Sequence, residues 1–408
     1  MALQCFEWIA HLISLFPVLT NRDVIKQLPD DVVIDILSRL PAERVLECRR
    51  VCKRWRSLTS SQSFVNLHLC RATTPAIFVH SFFHCRRGKE GLGFFVYNPT
   101  IKKKKMNKLW LRPGLKISHH FTRLFDTCCG LVLLTHWPNA LECYVFNPVT
   151  QEQVGIPCPP SRTFPPCPWG FVCGFFYHPQ AKKFHILYRG SVCGRISYYV
   201  YTLGTHVWRR IESPSCQSRP THNSPAVYNG ALYWIADWNY DNYNEIPPCT
   251  CGVLAFDVIE EKFQVMPHPG DECRYKREHE NMSLLAEADC LYFSYVRYYA
   301  KLIEIWTLRD HSTWEWVKKW KLCLNVVPAT YLEPDHTLKG YPLYEVKLVH
   351  IQDGQLWFDC AKEGLYLYRL DHMALVKHRG PPPADGLTDH CCRVLTKSLV
   401  SIRQMFHE

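Results

Sequence analysis

The 408-residue sequence has no uninterrupted apolar run long enough for a membrane span, and only 21% of its residues are charged. The first lack argues against a transmembrane helix, because crossing a bilayer takes about 20 predominantly apolar residues. The low fraction of charged residues, together with a hydrophobic content of 47%, argues against a disordered chain. We therefore expect a globular protein that does not enter a membrane and has a sizeable core.

The apolar N-terminal residues 1–19 lack the marks of a signal peptide. No Lys or Arg precedes the run, Glu7 and His11 interrupt it, and no A-x-A-like cleavage site follows. We expect residues 1–22 to form an N-terminal extension. The 21 cysteines, an odd number scattered singly and in adjacent pairs, do not resemble a secreted disulfide framework. The expected location is therefore the cytoplasm, the nucleus or both.

Motifs that carry catalysis are also missing. The sequence has no Walker-type phosphate loop, and Gly91 and Gly93 lack the third glycine and the helix of a dinucleotide site. Val192 stands where a nucleophile elbow needs serine. There is no HExxH motif and no CxxC pair, and only one residue stands between Cys249 and Cys251. These lacks predict a chain that is not an enzyme, with no catalytic residues, no metal and no cofactor.

Basic residues outnumber acidic ones, which gives a formal net charge of +11. Such a balance permits nucleic-acid, acidic or phosphorylated partners but identifies none of them. The run Lys102–Lys105 is either a nuclear-import or polyanion-binding patch or a hairpin loop kept charged for solubility.

Residues 23–70 have the pattern of a small helical module. Their spacing predicts three short helices, because apolar residues recur at helical intervals and a proline opens each of the first two helices. Three helices this short cannot bury their apolar surface alone, so the module needs a partner. The residues that define the pattern are Leu28, Pro29, Val33, Ile36, Leu37, Leu40, Pro41, Val45, Val51, Cys52 and Trp55.

This segment resembles an F-box. The matching text is the Leu28-Pro29 pair, then ILSRLP from Ile36 and VCKRW from Val51, and the match ends at Phe64. In that family the helices dock on the Skp-type adaptor of a cullin–RING ubiquitin ligase. The resemblance implies that the eleven residues named above contact the adaptor.

Not all eleven residues need face a partner. Several of them, Val33, Val45 and Val51 above all, are alternatively residues that only hold the helices together, because hot spots are a minority of any interface. Trp55 and the Leu28-Pro29 pair are the strongest candidates for binding energy.

Beyond residue 72 the helical spacing gives way to short strands rich in aromatic and β-branched residues. Six similar segments follow one another, and their aromatic residues are Tyr97, Phe146, Tyr201, Phe256, Trp306 and Tyr368. Intervals of 49 to 62 residues are typical of kelch-like propeller blades. A blade cannot bury its own faces, so the ring must close, and the tail from Cys391 alternates as a strand that returns to the first blade. The alternative is a β-sandwich with coincidental spacing.

Residues 71–408 also resemble the F-box-associated domain that follows F-boxes in large plant families. The likeness rests on six motifs in order, among them CCGLVLL, FFYHPQAKKFHILY and AVYNGALYWIAD. It weakens between Pro75 and Trp110, which leaves the blade count and the closure open. The expected fold class is an α+β multidomain protein, with a three-helix F-box followed by a mostly-β, kelch-like propeller of about six irregular blades.

Two long loops, 156–170 and 237–249, interrupt the predicted blades and are rich in aromatic residues and proline. Long loops on a rigid ring are where binding surfaces usually lie. The candidate target-binding residues are Trp169, Trp238, Tyr240 and Tyr243. The alternative is that they cover a blade edge.

The resemblance implies a substrate-recognition subunit of an SCF-type ubiquitin ligase. The F-box would bind the Skp-type adaptor and, through it, the cullin and RING subunits, while the propeller holds an unknown protein target. Catalysis is then by proximity, since the receptor raises the effective concentration of a target lysine near the conjugating enzyme. The alternative, which the lysine run and the net charge favour, is a basic propeller that binds RNA or another polyanion and carries a non-ligase F-box.

Overall fold

The computed structural model describes residues 28–71, 77–86, 89–97, 107–110, 122–136, 143–157, 169–192, 195–214, 218–221, 223–236, 249–273, 276–287, 289–297, 302–323, 346–360, 364–377 and 392–406. The N-terminal extension and Lys102–Lys105 lie outside these residues. Within them, every helix is too short or too polar to cross a membrane.

Four helices occupy residues 28–71: α1 (Asp30–Ser38), α2 (Ala42–Cys48), α3 (Lys53–Ser60) and α4 (Gln62–Arg71). The first three are the predicted helices. Pro29 and Pro41 precede α1 and α2, where a residue without an N–H costs nothing because the first amides have no intrahelical partner. Asp30 and Asp31 lie in the first turn of α1, at the positive end of its dipole.

Helix α4 extends the module beyond the three predicted helices. It begins after Ser61, whose hydroxyl accepts a hydrogen bond from the amide of Phe64. Phe64, Val65 and His68 are buried. The His68 Nε2 atom donates to the carbonyl oxygen of Leu40 over 2.8 Å, and this bond ties α4 to the end of α1.

The described strands beyond the helices form six four-stranded antiparallel sheets. Blade 1 contains β24, β1, β2 and β3, and blades 2 to 6 each take the next four strands in chain order from β4 to β23. The strands are β1 (Ile77–Arg86), β2 (Lys89–Tyr97), β3 (Asn107–Trp110), β4 (Thr122–Cys128), β5 (Leu131–His136), β6 (Cys143–Phe146), β7 (Gln153–Ile156), β8 (Trp169–His178), β9 (Lys183–Val192), β10 (Arg195–Thr202), β11 (Trp208–Ile211), β12 (Ala226–Tyr228), β13 (Ala231–Ile235), β14 (Val253–Asp257), β15 (Phe263–Met266), β16 (Met282–Glu287), β17 (Cys290–Arg297), β18 (Leu302–Asp310), β19 (Glu315–Cys323), β20 (Val346–Gln352), β21 (Gln355–Cys360), β22 (Gly364–Arg369), β23 (Ala374–Lys377) and β24 (Cys392–Leu395).

The repeat predicted from the sequence coincides with the blades. Each of the six repeated aromatic residues, from Tyr97 to Tyr368, lies on the third strand of its own blade. Phe146 and Phe256 are almost fully buried and pair with Val132 and Leu232 on the second strands of their blades. The repeated aromatic residues of blades 2 to 6 are all buried, so the spacing records one buried anchor in each of these blades, and the propeller prediction is confirmed.

The ring closes through its C-terminal strand. Strand β24 pairs antiparallel with β1, from Ile77 opposite Leu395 to His80 opposite Cys392. First strands of neighbouring blades lie against each other at the junctions β24–β4, β4–β8, β12–β16, β16–β20 and β20–β24. Blades 3 and 4 join through a shared hydrophobic cluster, in which the Trp234 indole nitrogen donates to the Cys173 carbonyl over 2.9 Å. Closure from both chain ends is expected of a propeller, because it leaves no blade unpartnered.

After β24 the chain continues as a tail, residues 396–406, with a short helix α5 (Ile402–Met405). Leu399, Val400 and Ile402 of the tail are buried in one hydrophobic cluster with Val33 and Val45 of the helical module. The same cluster includes residues of blades 2 and 3. The tail thus binds the helical module to one side of the ring, so the rest of the chain is one partner of its apolar surface.

Candidate functional site

The structure divides the eleven residues predicted to contact an adaptor. Four of them, Val33, Leu37, Leu40 and Val45, are buried in the interior of the helical module and against the tail. Buried in this way, these side chains stabilise the helices from inside and offer a partner little surface. For Val33 and Val45 this agrees with the alternative given above, that they only hold the helices together.

The accessible members of the set lie at helix starts and in the turns between helices. Pro29, Pro41 and Cys52 are exposed, and Val51 is 49% exposed in the turn between α2 and α3. Leu28 and Trp55 are half-buried against the hydrophobic cluster, and Ile36 on α1 is half-buried as well. Val32 on α1 is also exposed, and the predicted set omits it. An apolar residue outside the buried face of a helix is the sequence signal that would have indicated it.

Arg54 fixes the entry to α1. Its guanidinium donates to the Asp30 carboxylate over 2.6–2.8 Å and to the Leu28 carbonyl oxygen over 2.5 Å. The Leu28-Pro29 segment is therefore held against the first turn of α3. Cys52 has a local task as well, because its sulfur accepts a hydrogen bond from the Trp55 amide and caps α3.

Polar contacts join the helical module to the tail beside the shared cluster. Glu43 on α2 forms an ion pair with Lys397, and the Gln404 side chain donates to the Ser60 carbonyl oxygen over 3.4 Å. Val32 and Val51 stay exposed in the same arrangement. The module is therefore anchored on the propeller while an apolar edge of it remains accessible.

The predicted target-binding residues are described only in part. Trp169 begins β8, where its backbone pairs with Ser191. Its side chain lies outside the described residues, as do Trp238, Tyr240 and Tyr243. Their role stays a prediction.

A second group of side chains, which sequence reasoning did not bring together, lies between blades 4 and 5. Cys249, His268, Cys273 and His279 each place one ligand-type atom within 4.8 Å of the others. Both histidines are buried, and both cysteines are half-buried free thiols. The 18, 4 and 5 residues that stand between successive members do not match a paired CxxC motif, so only the fold reveals the cluster.

Both histidines of this group are neutral near pH 7. Burial lowers the pKa of His268, and the hydrogen bond to the Pro269 carbonyl opposes that shift only in part. Burial and the neighbouring His268 lower the pKa of His279 to about 4. Burial, reinforced by the Cys249 thiol and the Glu278 carboxylate, raises the pKa of Cys273.

A helical module with an accessible apolar edge, carried on a closed propeller, defines a two-part interaction protein. The chain matches the F-box associated beta propeller domain over residues 80–340 and the F-box-like domain over residues 25–70. It belongs to the F-box associated beta propeller family, and the resemblance drawn from its motifs is confirmed. Proteins of this class are generally non-catalytic adaptors.

Curated relatives from Arabidopsis thaliana agree with this membership. F-box protein At1g67130 is 28% identical over 323 residues, which cover 73% of this chain and 62% of the relative. F-box protein At5g65850 is 29% identical, with 72% and 70% covered, and F-box protein DOR is 26% identical, with 74% and 76% covered. The chain thus spans under two thirds of the length of the first of these relatives and rather more of the other two.

Proposed function

We propose that this chain is the substrate-recognition subunit of an SCF-type E3 ubiquitin ligase, without catalytic activity of its own, in the cytoplasm or nucleus. The observation that carries the proposal is an F-box module with an accessible apolar edge, fixed to a closed propeller. A receptor of this kind needs two faces held at a constant distance, one for the adaptor and one for the target. The packed tail supplies that rigid connection, and rigidity favours proximity catalysis because less orientational freedom is lost.

The adaptor-binding edge consists of the accessible residues of the predicted set. Val51 and Pro29 are exposed apolar residues, and Trp55, four residues after Val51, is a half-buried aromatic residue of the type that dominates hot spots. Arg54 supports this edge by holding Leu28 and Asp30. The four buried residues act indirectly, because they set the spacing of the helices.

Adaptor binding is tested by co-expressing the full chain with a Skp-type adaptor and measuring the affinity of the purified proteins. Val51→Asp places a charge on the exposed edge, and we expect it to weaken binding by at least about tenfold. Val376→Asp is the matched control, since Val376 is 54% exposed on the outer strand of blade 6. Equal affinity of wild type and Val51→Asp would contradict the proposed edge.

Failure of the wild-type chain to bind any adaptor would contradict the ligase function itself. Binding of RNA that weakens steeply with added salt would then support the polyanion-binding alternative. Adaptor binding that tolerates salt supports the ligase receptor.

The target side rests on the two aromatic loops. We propose that Trp169, Trp238, Tyr240 and Tyr243 contact the target protein, because aromatic residues dominate binding energy at protein interfaces. Proximity labelling with the adaptor-bound chain compares wild type with a triple alanine variant at Trp238, Tyr240 and Tyr243. Loss of a defined set of labelled proteins, with adaptor binding intact, is the expected result, and an unchanged set would exclude these residues.

A further inference from the structure

The cluster between blades 4 and 5 has the composition and shape of a metal site. We propose that Cys249, His268, Cys273 and His279 bind one zinc ion in a closed tetrahedral site. Two thiolates and two imidazoles with no water position are the ligand set of structural zinc, and a tetrahedral S₂N₂ arrangement selects zinc among the common divalent metals.

The distances between the ligand atoms fit that coordination. The Cys273 sulfur is 3.5 Å from the His268 Nε2 atom, and the Cys249 sulfur is 3.9 Å from the His279 Nε2 atom. With Zn–S bonds of about 2.3 Å and Zn–N bonds of about 2.0–2.1 Å, tetrahedral geometry separates a sulfur from a nitrogen by about 3.6 Å. These two sulfur–nitrogen distances lie within about 0.3 Å of that value, and all four ligand atoms lie within 4.8 Å of one another, so small side-chain movements close them around an ion.

The groups behind the ligands orient them for binding. The Nδ1 atom of His268 donates to the Pro269 carbonyl oxygen over 2.9 Å, which leaves Nε2 free of its proton and facing Cys273. A backbone carbonyl behind a ligating imidazole is the usual way to fix its tautomer and direction. The Cys249 sulfur accepts a 3.1 Å hydrogen bond from the Cys273 amide, which fixes the position of that sulfur beside the other ligands.

Packing holds the His268 ring in place. Phe293 of β17 stacks on it with the rings 10° from parallel, and His279 meets it edge to face at 4.9 Å between centroids. On another side lies Gly252, where an added Cβ would overlap the Cδ2 atom of His268. The backbone therefore approaches the ring more closely than any residue with a Cβ would allow. This close approach fixes the position of the ring, as a preformed site requires.

The four ligands come from three segments at the junction of blades 4 and 5, of which the pairing of β14 with β15 joins the first two, while the third leads into blade 5. Cys249 lies in a 3₁₀ turn before β14, His268 and Cys273 follow β15, and His279 lies in a 3₁₀ turn before β16. One ion would cross-link the end of blade 4 to the start of blade 5. Cys249 directly follows residues 237–248 in the sequence, which include three of the predicted target-binding residues. This proposal contradicts the expectation from the sequence that the chain binds no metal.

Metal content of the full chain is the first test. We expect one zinc per chain by elemental analysis of protein purified under reducing conditions, and loss of that zinc in the Cys249→Ser/Cys273→Ser variant. The control variant, Cys251→Ser/Cys290→Ser, removes two other half-buried thiols, one of them in the same turn, and should keep its zinc. Zinc absent from the wild type, or retained by the first variant, overturns the proposal.

Cobalt substitution of the wild-type chain avoids the risk that a variant misfolds. We expect the intense visible bands of tetrahedral cobalt and a thiolate-to-cobalt charge-transfer band at one equivalent, both abolished by an equivalent of zinc. A weak octahedral spectrum would overturn the proposal. So would a Cys249–Cys273 disulfide, if mass spectrometry finds it in protein purified without reductant and added zinc does not change it. Chelation should lower the melting temperature of the wild type and leave that of Cys249→Ser/Cys273→Ser unchanged.

Discussion

The side-chain amide of Asn147 donates a 2.7 Å hydrogen bond to the backbone carbonyl of Val400, 253 residues further along the chain. The same amide donates to the Ser398 carbonyl over 3.3 Å, while its oxygen accepts from the amide of Val149 and closes the turn after β6. Asn147 is fully buried. One side chain thus ends a strand of blade 2, shapes its turn and fixes the tail that carries the helical module.

Replacing Asn147 by Asp keeps the turn and removes the contact with the tail. The carboxylate still accepts from Val149, but it no longer donates to the carbonyls of Ser398 and Val400, which are left buried and unpaired. We expect a loss of about 2–4 kcal/mol in the free energy of unfolding, measured by urea denaturation.

The equivalent turn of blade 4 supplies the control for this substitution. Asp257 accepts from the amides of Ile259 and Glu260, and an asparagine oxygen performs the same task. We expect Asp257→Asn to change stability by less than about 0.5 kcal/mol. Equal effects of the two substitutions would show that the turn, and not the tail, explains the requirement for Asn147.

Gly204 is a second point where the tail restricts the propeller. Its φ is +91°, and an added Cβ would overlap the Met405 carbonyl oxygen of α5. Gly230 has a φ of +75° with open space around it, so Gly230→Ala incurs only the backbone strain of about 1–2 kcal/mol. We expect Gly204→Ala to be more destabilising than Gly230→Ala in thermal unfolding. A smaller effect at Gly204 would mean that the tail moves aside at little cost.

The blades could be predicted from the sequence because the repeat is local. In blades 2 to 6 each aromatic anchor, Phe146 and Phe256 among them, is followed by a turn, and this local pattern recurs once in each of these blades. Contacts between distant segments have no such signal. Nothing in the residues near His268 indicates that it meets Cys249, and nothing near Val33 indicates that it shares a buried cluster with Val400. Burial of four of the eleven residues in the predicted adaptor set was hidden for the same reason, because helical periodicity marks an apolar face but not what covers it.

Asp126 makes the stability of the protein fall as the pH rises. It is almost fully buried in blade 2, and burial raises its pKa to about 7 although Arg393 lies 3.8 Å away. Between about pH 4 and pH 7 the unfolded chain loses this proton and the folded chain keeps it, so folding becomes less favourable with increasing pH. Asp126→Asn should raise the free energy of unfolding by about 2 kcal/mol at pH 8 and leave it nearly unchanged at pH 4.

Glu304 should show the opposite sign. Burial alone would raise its pKa, but hydrogen bonds from Lys318 at 2.7 Å and Arg297 at 2.8 Å lower it below the ordinary value. Its stabilising contribution is therefore complete above the unfolded pKa and is lost as the pH falls through the folded one. Glu304→Gln should destabilise the protein at pH 7 by about 1–3 kcal/mol, and the deficit should shrink below about pH 4. Urea midpoints measured across this range check both signs.

Indole hydrogen bonds connect neighbouring blades at equivalent places. The Trp208 indole nitrogen donates to the Pro157 carbonyl at the exit of blade 2, and that of Trp314 donates to the Pro267 carbonyl at the exit of blade 4. In both pairs the tryptophan lies at the turn between the third and fourth strands of the next blade. Each bond therefore joins two blades that share no strand pairing.

Trp208→Phe removes such a bond and leaves the Pro157 carbonyl oxygen without its indole donor. It should therefore lower the free energy of unfolding by the packing loss plus about 1–2 kcal/mol. Trp316→Phe isolates the packing loss, because the Trp316 indole nitrogen is buried without a hydrogen-bond partner among the described residues. The difference between the two variants in urea denaturation measures the bond. If Trp208→Phe cost no more than Trp316→Phe, the blades would be held together by apolar packing alone, and the shared tryptophan position would reflect the aromatic repeat and not a link between blades.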